Sequence, residues 1–108
     1  MKKTLREVCY DTGVSRRAIQ GYEKMGLVSA VGKNKYGHLL YDSAGVQRIK
    51  TIRFYQQIGF SLKEIQTLLD APPVIIKEQL CIRAKQLKEE GIELQTLIQR
   101  IEQYITQL

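Results

Sequence analysis

Several features are scarce in this 108-residue sequence, and each scarcity excludes a class of protein. Its two cysteines, Cys9 and Cys81, are too few and too far apart for a disulfide framework or a CxxC metal or redox motif. No apolar run reaches the roughly 18 residues that a transmembrane helix requires. Charges at residues 2, 3, 6 and 7 interrupt any signal-peptide core. We therefore expect a reduced, cytoplasmic protein that has no membrane partner.

Patterns of catalytic residues are also lacking. No Ser/His/Asp set, pair of carboxylates or phosphate-binding loop stands out, and the glycines of residues 32–37 lack the spacing of a nucleotide loop. The single histidine, His38, is far in sequence from Cys81, which has no second soft ligand near it. We expect no enzyme activity, no cofactor and no metal site.

Positive charge, by contrast, is abundant. Lysine and arginine total 17 against 11 acidic residues, which gives a net charge of +6. An excess of this sign favours a polyanionic partner such as nucleic acid or an anionic membrane. The length leaves room for about one domain with a modest core.

Residues 13–27 organise the chain by combining a turn, a short basic helix and a glycine stop. Gly13 can adopt the positive φ of a tight turn, Ser15 suits an N-cap, and Gly26 stands where a helix should end. The side chains that can face inward are Val14, Ala18 and Ile19. Those expected to face outward are Arg16, Arg17, Gln20 and Lys24. Such a helix suits a DNA groove, where arginine reads guanine, glutamine reads adenine, and either can hold phosphate.

A first short helix should precede this stretch. Thr4 and Glu7 have the spacing of a capping box, and the helix should run to about Tyr10. Its expected buried face is Leu5, Val8 and Cys9. The turn at residues 11–13 then joins two short helices, which makes a helix-turn-helix candidate.

Two apolar runs, residues 27–31 and 39–41, could pair as the strands of a β-hairpin wing. The turn between them, residues 32–38, is rich in Asn and Gly and carries basic and aromatic side chains. These side chains are Lys33, Lys35, Tyr36 and His38. We expect the tip of the wing to follow a phosphate backbone.

Two more helices are expected before Pro72-Pro73, the clearest break in the chain. The first should be capped by Asp42 or Ser43 and end at Gly59, with the apolar stripe Val46, Ile49, Ile52 and Phe54. Lys50 and Arg53 lie off that stripe. The second should open at the capping box of residues 61–64, with Ile65, Leu68 and Leu69 inward.

From about residue 74 the sequence predicts one long helix. Its apolar residues follow a heptad repeat and form a stripe that we call the seam. The seam residues are Leu80, Ala84, Leu87, Gly91, Leu94, Ile98, Ile101, Ile105 and Leu108. The apolar stripe of this helix must be buried against a partner, and the simplest partner is a second copy of the chain. We expect two domains, residues 1–71 and 72–108.

Taken together, residues 4–70 resemble the winged helix-turn-helix DNA-binding domain of the MerR family of bacterial transcription factors, and the remainder resembles its dimerisation helix. The motifs that carry the resemblance are Gly13-Val14-Ser15, Tyr22-Glu23-Lys24-Met25-Gly26-Leu27, Gly37 with Tyr41, Ile58-Gly59-Phe60-Ser61-Leu62-Lys63-Glu64-Ile65, and the terminal heptads. The resemblance implies a mainly helical protein that dimerises through an antiparallel coiled coil. It also implies binding to palindromic promoter DNA, with RNA polymerase as a further partner. It suggests a short form that has no separate effector domain.

Two departures from the family pattern concern the expected DNA contacts. Where the family usually has Leu-Arg-Tyr-Tyr, this chain has Ile19-Gln20-Gly21-Tyr22, and where it has Gly-Tyr-Arg, this chain has Gly37-His38-Leu39. Lys33 and Lys35 are the available substitutes for the wing arginine. The alternative is a protein-interaction adaptor that uses the long helix and has lost specific DNA readout. A basic helix lying on a membrane is disfavoured by its narrow stripe and its acidic residues.

The expected sites follow from these assignments. The expected DNA contacts are Arg16, Arg17, Gln20, Tyr22, Lys24, Lys33, Lys35, Tyr36, His38, Tyr41, Lys50 and Arg53. The expected dimer interface is the seam of the long helix.

Overall fold

The helices and strands belong to two units of the chain. The computed structural model describes residues 1–108, and they divide into Met1–Asp70, called the head below, and Ala71–Leu108. The head contains β1 (Lys3–Thr4), α1 (Leu5–Thr12), α2 (Arg16–Lys24), β2 (Gly32–Lys33), β3 (Leu39–Tyr41), α3 (Ser43–Gln57) and α4 (Leu62–Leu68). The second unit contains α5 (Pro73–Thr106). The predicted class, a mainly helical winged helix-turn-helix followed by a long helix, is confirmed.

Each helix of the head begins at a side-chain cap that the sequence predicts. The Thr4 hydroxyl accepts a hydrogen bond from the backbone N–H of Glu7, and the Glu7 carboxylate accepts one from the backbone N–H of Thr4. The capping box of residues 61–64 opens α4 in the same way. Ser15 caps α2, and Asp42 caps α3 by accepting from a first-turn amide at 2.8 Å. These bonds satisfy amides that would otherwise lack partners at the helix starts.

The helix ends differ slightly from the prediction. α1 runs two residues past Tyr10, and Gly13, with φ 72°, then makes the turn to α2. α2 ends at Lys24 with Met25 as its C-cap, and Gly26, also with φ 72°, reverses the chain. The backbone N–H of Leu27 donates to the Tyr22 carbonyl at 2.9 Å, which closes the end of the helix.

A three-stranded antiparallel sheet with the order β1-β3-β2 forms the wing. Lys3 pairs with Tyr41, and Gly32 pairs with Leu40. The prediction of a strand over residues 27–31 is wrong, because Leu27 and Val28 fill the core as irregular chain. The strand begins at Gly32. β1 has only two residues, too few to give a periodic signal in the sequence.

Side chains from all four helices of the head, from β3 and from the segments after α1 and α2 form its core. It consists of Leu5, Val8, Val14, Ile19, Tyr22, Leu27, Val28, Tyr41, Ile49, Ile52, Tyr55, Ile65 and Leu68. The predicted stripe of α3 is wrong at Phe54, whose side chain is 50% exposed. Tyr55 is buried instead, because it continues the three-residue spacing of Ile49 and Ile52 and packs edge-on against Phe60.

Arg48 of α3 connects the loop after α2 with the end of α4. Its Nε donates to the Leu27 carbonyl, and its two terminal nitrogens donate to the two oxygens of Asp70 at 2.9 and 3.0 Å. The Gln66 amide of α4 donates to the Met25 carbonyl at 3.1 Å. Two of the backbone carbonyls that follow α2 are therefore held by side chains of α3 and α4.

α5 is one uninterrupted helix of 34 residues that begins with Pro73 at its first position. At 1.5 Å per residue it is roughly 50 Å long. It has no buried residue, and the exposed fractions of Leu94 and Ile98 on the seam are 61% and 46%. None of the helices of this chain combines the length and the apolar character that a membrane crossing requires.

The Arg48–Asp70 pair predicts a defined response to acid. The hydrogen bonds from Arg48 lower the pKa of the Asp70 carboxyl below its ordinary value of 3.8. A lowered carboxyl pKa stabilises the fold above the unfolded-state pKa, and this stabilisation is lost as the pH falls through the folded-state pKa. Asp70→Asn should therefore be less stable than the wild type at pH 7, and the difference should shrink at pH 3. Urea denaturation at both pH values tests this, and an equal difference at the two would contradict it.

Candidate nucleic-acid interface

α2 presents a cationic face because its opposite face is buried. Ile19 and Tyr22 are 0% and 1% exposed. The side chains predicted to face outward, Arg16, Arg17, Gln20 and Lys24, are all exposed. The ion pairs of the chain are Lys3–Asp11, Arg48–Asp70 and Arg83–Glu90, so the cations of α2 have no carboxylate partner. Their charge is available to an external anion.

The hydroxyl groups of two tyrosines link α2 to α3 and to the wing by hydrogen bonds. The Tyr22 hydroxyl donates to the Gln56 side-chain oxygen of α3 at 2.6 Å. The Tyr41 hydroxyl, from β3 of the wing, donates to the Glu23 carboxylate. Burial raises the pKa of the Tyr22 phenol, opposed by the positive charge of Arg53, and burial also raises the pKa of the Glu23 carboxyl.

The expectation of DNA contacts by Tyr22 and Tyr41 stays a prediction, and the structure places both rings in the core of the head. Tyr41 is 0% exposed and Tyr22 is 1% exposed, so neither ring can stack on a base. Their hydroxyls are used within the head. We assign both residues the role of fixing α2 against α3 and the wing.

The tip of the wing is a tight turn built on Asn34. Its side-chain oxygen accepts from the backbone N–H groups of Tyr36 and His38 at 2.9 and 3.0 Å. Gly37 makes the turn with φ 81°, where only glycine is unstrained. Lys35 Nζ lies 5.1 Å from the centroid of the Tyr36 ring. This turn exposes the four side chains predicted for it, which are Lys33, Lys35, Tyr36 and His38.

The remaining predicted cations, Lys50 and Arg53, are exposed on α3. Arg53 lies close enough to Tyr22 for its charge to act on the phenol. α3 therefore contributes positive charge near the buried face of α2. Both residues lie outside the apolar stripe, as predicted.

A cleft of about 620 Å³ lies where α1, α2 and the wing meet, and we call it the wing cleft. Its lining is Thr4, Leu5, Arg6, Arg16, Gln20, Gly37, His38 and Leu39. It brings together three predicted DNA contacts, Arg16, Gln20 and His38. It also contains Arg6, which the sequence analysis did not assign.

The sequence contained one signal for Arg6. It occupies the first turn of α1, where the helix dipole disfavours a cation. A residue that breaks a local stability rule is a candidate for a functional role. Gln56 and Glu23, by contrast, acquire their roles from long-range contacts with tyrosines and left no such signal.

Both cysteines are free thiols, Cys9 half-buried and Cys81 exposed. No three His, Cys, Asp or Glu side chains come close enough together to hold a metal ion. The chemistry that α2 and the wing offer is hydrogen-bond donation by guanidinium, ammonium and amide groups. These groups suit phosphate oxygens and the edges of bases.

Comparison with known proteins identifies relatives over the whole chain. Residues 3–72 match the family described as MerR HTH family regulatory protein, and residues 46–108 match the family described as MerR, DNA binding. The HTH-type transcriptional activator mta of Bacillus subtilis is 30% identical over 102 residues, which cover 94% of this chain. The chain spans 40% of that activator's length.

Solved structures show the same fold. The N-terminal part of the Bacillus subtilis multidrug transporter activator, MtaN, superposes with a TM-score of 0.76 at 28% identity, covering 95% of this chain and 97% of that one. HiNmlR, a MerR family regulator lacking the sensor domain and bound to promoter DNA, superposes with a TM-score of 0.68. Its identity is 24%, and the match covers 91% of this chain and 79% of that one.

The bond between Tyr41 and Glu23 should contribute measurably to the stability of the head. Tyr41→Phe removes the donor and leaves a partly buried carboxylate without it. We expect the free energy of unfolding to fall by about 1 kcal/mol, the net value of a typical hydrogen bond. Thermal or urea denaturation measures this. Tyr36→Phe, at the exposed wing tip, is the matched control and should leave the stability unchanged. Equal stability of the two variants would contradict the role of Tyr41.

Proposed function

The chain belongs to the MerR family of helix-turn-helix regulatory proteins, and from that premise we propose that it regulates transcription by binding promoter DNA as a homodimer. One observation supports this above the others. The exposed face of α2 carries Arg16, Arg17 and Lys24 without any carboxylate partner. The opposite face packs into the core, and the hydroxyl hydrogen bonds of Tyr22 and Tyr41 link α2 to α3 and to the wing.

In this proposal α2 enters the major groove, as the second helix of a helix-turn-helix does. Arg16, Arg17 and Gln20 carry donors and acceptors that suit base edges or phosphates, since arginine pairs with guanine, glutamine pairs with adenine, and either can hold phosphate. The exposed turn of the wing lies on the flanking backbone, with Lys33, Lys35, Tyr36 and His38 as its contacts. Lys24, Lys50 and Arg53 hold phosphates, which set the register of the head on the duplex.

The homodimer forms through α5. A 34-residue helix with no buried residue and a seam of exposed leucine and isoleucine must cover that seam to be stable. A second copy offers the same seam, so an antiparallel pair would bury both. Gly91 has no neighbouring atom within 4 Å of an added Cβ in its own chain, so it leaves room for close approach of the partner helix.

The proposed dimer predicts the form of the DNA site and the class of activity. Two heads related by a two-fold axis bind a palindrome whose half-sites lie whole helical turns apart. The activator mta of Bacillus subtilis, a relative over 94% of this chain, is a transcriptional regulator. We propose the same class of activity here, not an enzyme activity, in the cytoplasm and with RNA polymerase as a further partner.

Selection of binding sites from random duplex DNA at physiological salt tests the proposal. The wild type should enrich a palindrome with two fixed half-sites. The double variant Arg16→Ala/Arg17→Ala should bind the selected site at least about a hundredfold more weakly, since each good contact to a base contributes about 1–3 kcal/mol. Lys85→Ala, on the polar side of α5, is the control and should bind as the wild type does.

Failure to enrich any sequence, with binding that vanishes as salt rises, would show that only phosphate contact occurs. That result would contradict the regulator proposal. It would favour the adaptor reading, in which α5 docks on another protein.

The dimer prediction is separate from the DNA prediction. Leu94→Asp/Ile98→Asp places two carboxylates on the seam, where burial against a partner helix would be costly. We expect these variants to sediment as monomers while the wild type sediments as a dimer. Gln99→Asp/Gln103→Asp adds the same charge with the same spacing on the opposite side of α5 and should stay dimeric. A dimer that survives the first pair of changes would locate the interface elsewhere.

A further inference from the structure

We propose that the wing cleft is a binding site for a phosphodiester group of the DNA backbone, and that Arg6 and Arg16 donate to the same phosphate. The inference rests on the proposed function and adds to it a contact residue, Arg6, and a definite place for one strand. The proposed phosphate site is the cleft between α1, α2 and the wing, which is distinct from the surface of α2 that faces the major groove.

The geometry brings two arginines of different elements to the same cleft. Arg6 comes from the first turn of α1, and Arg16 comes from the first turn of α2. Both line the wing cleft, together with Gln20 and His38. The third wall is the turn of the wing, at Gly37 and Leu39.

No carboxylate neutralises these two arginines. Neither takes part in an ion pair or a side-chain hydrogen bond within the chain. The acidic side chain closest to them in sequence, Glu7, is used at the start of α1, where its carboxylate accepts from the N–H and the hydroxyl of Thr4, both at 3.0 Å. Asp11 is paired with Lys3. The positive charges of Arg6 and Arg16 are therefore available to an anion that enters the cleft.

The chemistry of the donors selects the kind of anion. Guanidinium groups bind phosphate through paired N–H donors, and two of them with an amide between can surround the free oxygens of a phosphodiester. The cleft is bounded by α2 and the wing, the two elements that approach DNA in the proposed function. A backbone strand passing between them would therefore reach the cleft.

The charge placement also argues against a structural role for Arg6. A cation in the first turn of a helix opposes the helix dipole and so slightly destabilises α1. The side chain is exposed and contacts no core residue through a hydrogen bond. A role in binding explains why this position carries a guanidinium, whereas a role in folding does not.

The test measures binding of the selected operator, and of a duplex of unrelated sequence, by wild type and by single and double variants over a range of salt concentrations. Arg6→Ala should weaken binding to both duplexes by about tenfold for each head, the loss expected for one charge-assisted hydrogen bond, and so by about a hundredfold for a dimer with both heads on the DNA. It should also reduce the slope of log K against log salt concentration by about two, since each head loses one phosphate contact. Lys85→Ala, which removes the same charge from a residue that does not line the cleft, should change neither.

If Arg6 and Arg16 bind the same phosphate, the losses of DNA affinity caused by substituting each of them should not be additive. Arg6→Ala in the Arg16→Ala background should cost clearly less than it does in the wild type, because neighbouring groups on one ligand couple. Arg6→Ala combined with Lys50→Ala, whose lysine does not line the cleft, should show additive losses. Arg6→Lys should recover part of the affinity, since it restores the charge without the paired donors.

Several outcomes would overturn the inference. If the wild type binds DNA and Arg6→Ala binds it equally tightly, the proposed phosphate site is contradicted, but the proposed function is not. Additive losses for Arg6 and Arg16 remove the shared phosphate. A loss confined to one base pair of the operator makes Arg6 a base contact. Displacement of the operator by millimolar inorganic phosphate at constant ionic strength would show a site for free phosphate. A wild type that binds no DNA overturns both proposals.

Circular dichroism spectra and thermal melts of each variant check that it folds as the wild type does. Arg6 has no partner in the fold, so Arg6→Ala should keep the wild-type melting temperature. Arg6→Gln, which keeps most of the side-chain stem, provides a second neutral variant should the alanine variant fold poorly. Its DNA binding should weaken by a similar factor.

Discussion

Burial of Ile19 and Tyr22 is the interaction on which the exposed face of α2 depends. A helix of nine residues is too short to be stable by itself in water, so tertiary packing has to maintain it. Because side chains leave a helix at fixed angles, burying one face fixes where Arg16 and Gln20 point. The hydroxyls of Tyr22 and Tyr41 then restrain the helix against α3 and the wing. The direction of the cationic side chains is therefore set by the core beneath them.

The elements that the sequence predicts correctly are those whose determining contacts are local. The caps at Thr4, Ser15 and Ser61 each involve a hydroxyl and an amide three residues later, so a short window contains all the information. The turn glycines and the break at Pro72 are local in the same sense. The helices that these signals delimit all exist, and with them most of the fold. The outward direction of the cations of α2 also follows from helical spacing alone.

The errors and omissions lie where long-range packing decides. Both Phe54 and Tyr55 are apolar enough for the core, and only the positions of neighbouring elements place Tyr55 inside. Leu27 and Val28 have the composition of a strand but fill space beside α3 as irregular chain. The burial of Tyr22 and Tyr41 depends on partners 34 and 18 residues away in sequence. Arg6 joins the wing cleft only because the turn of the wing lies opposite it.

In the proposed homodimer, the exposed seam of α5 makes part of the molecule sensitive to its own abundance. None of the residues of α5 is buried, so its helical content depends strongly on whatever packs against the seam. By mass action, a partner that packs there stabilises the helix by an amount that grows with the logarithm of the ratio of its concentration to the dissociation constant. At low copy number α5 would spend more time frayed and open to proteases, while the capped and well-packed head stayed folded. The level of the protein in the cell would thus set the lifetime of its second unit.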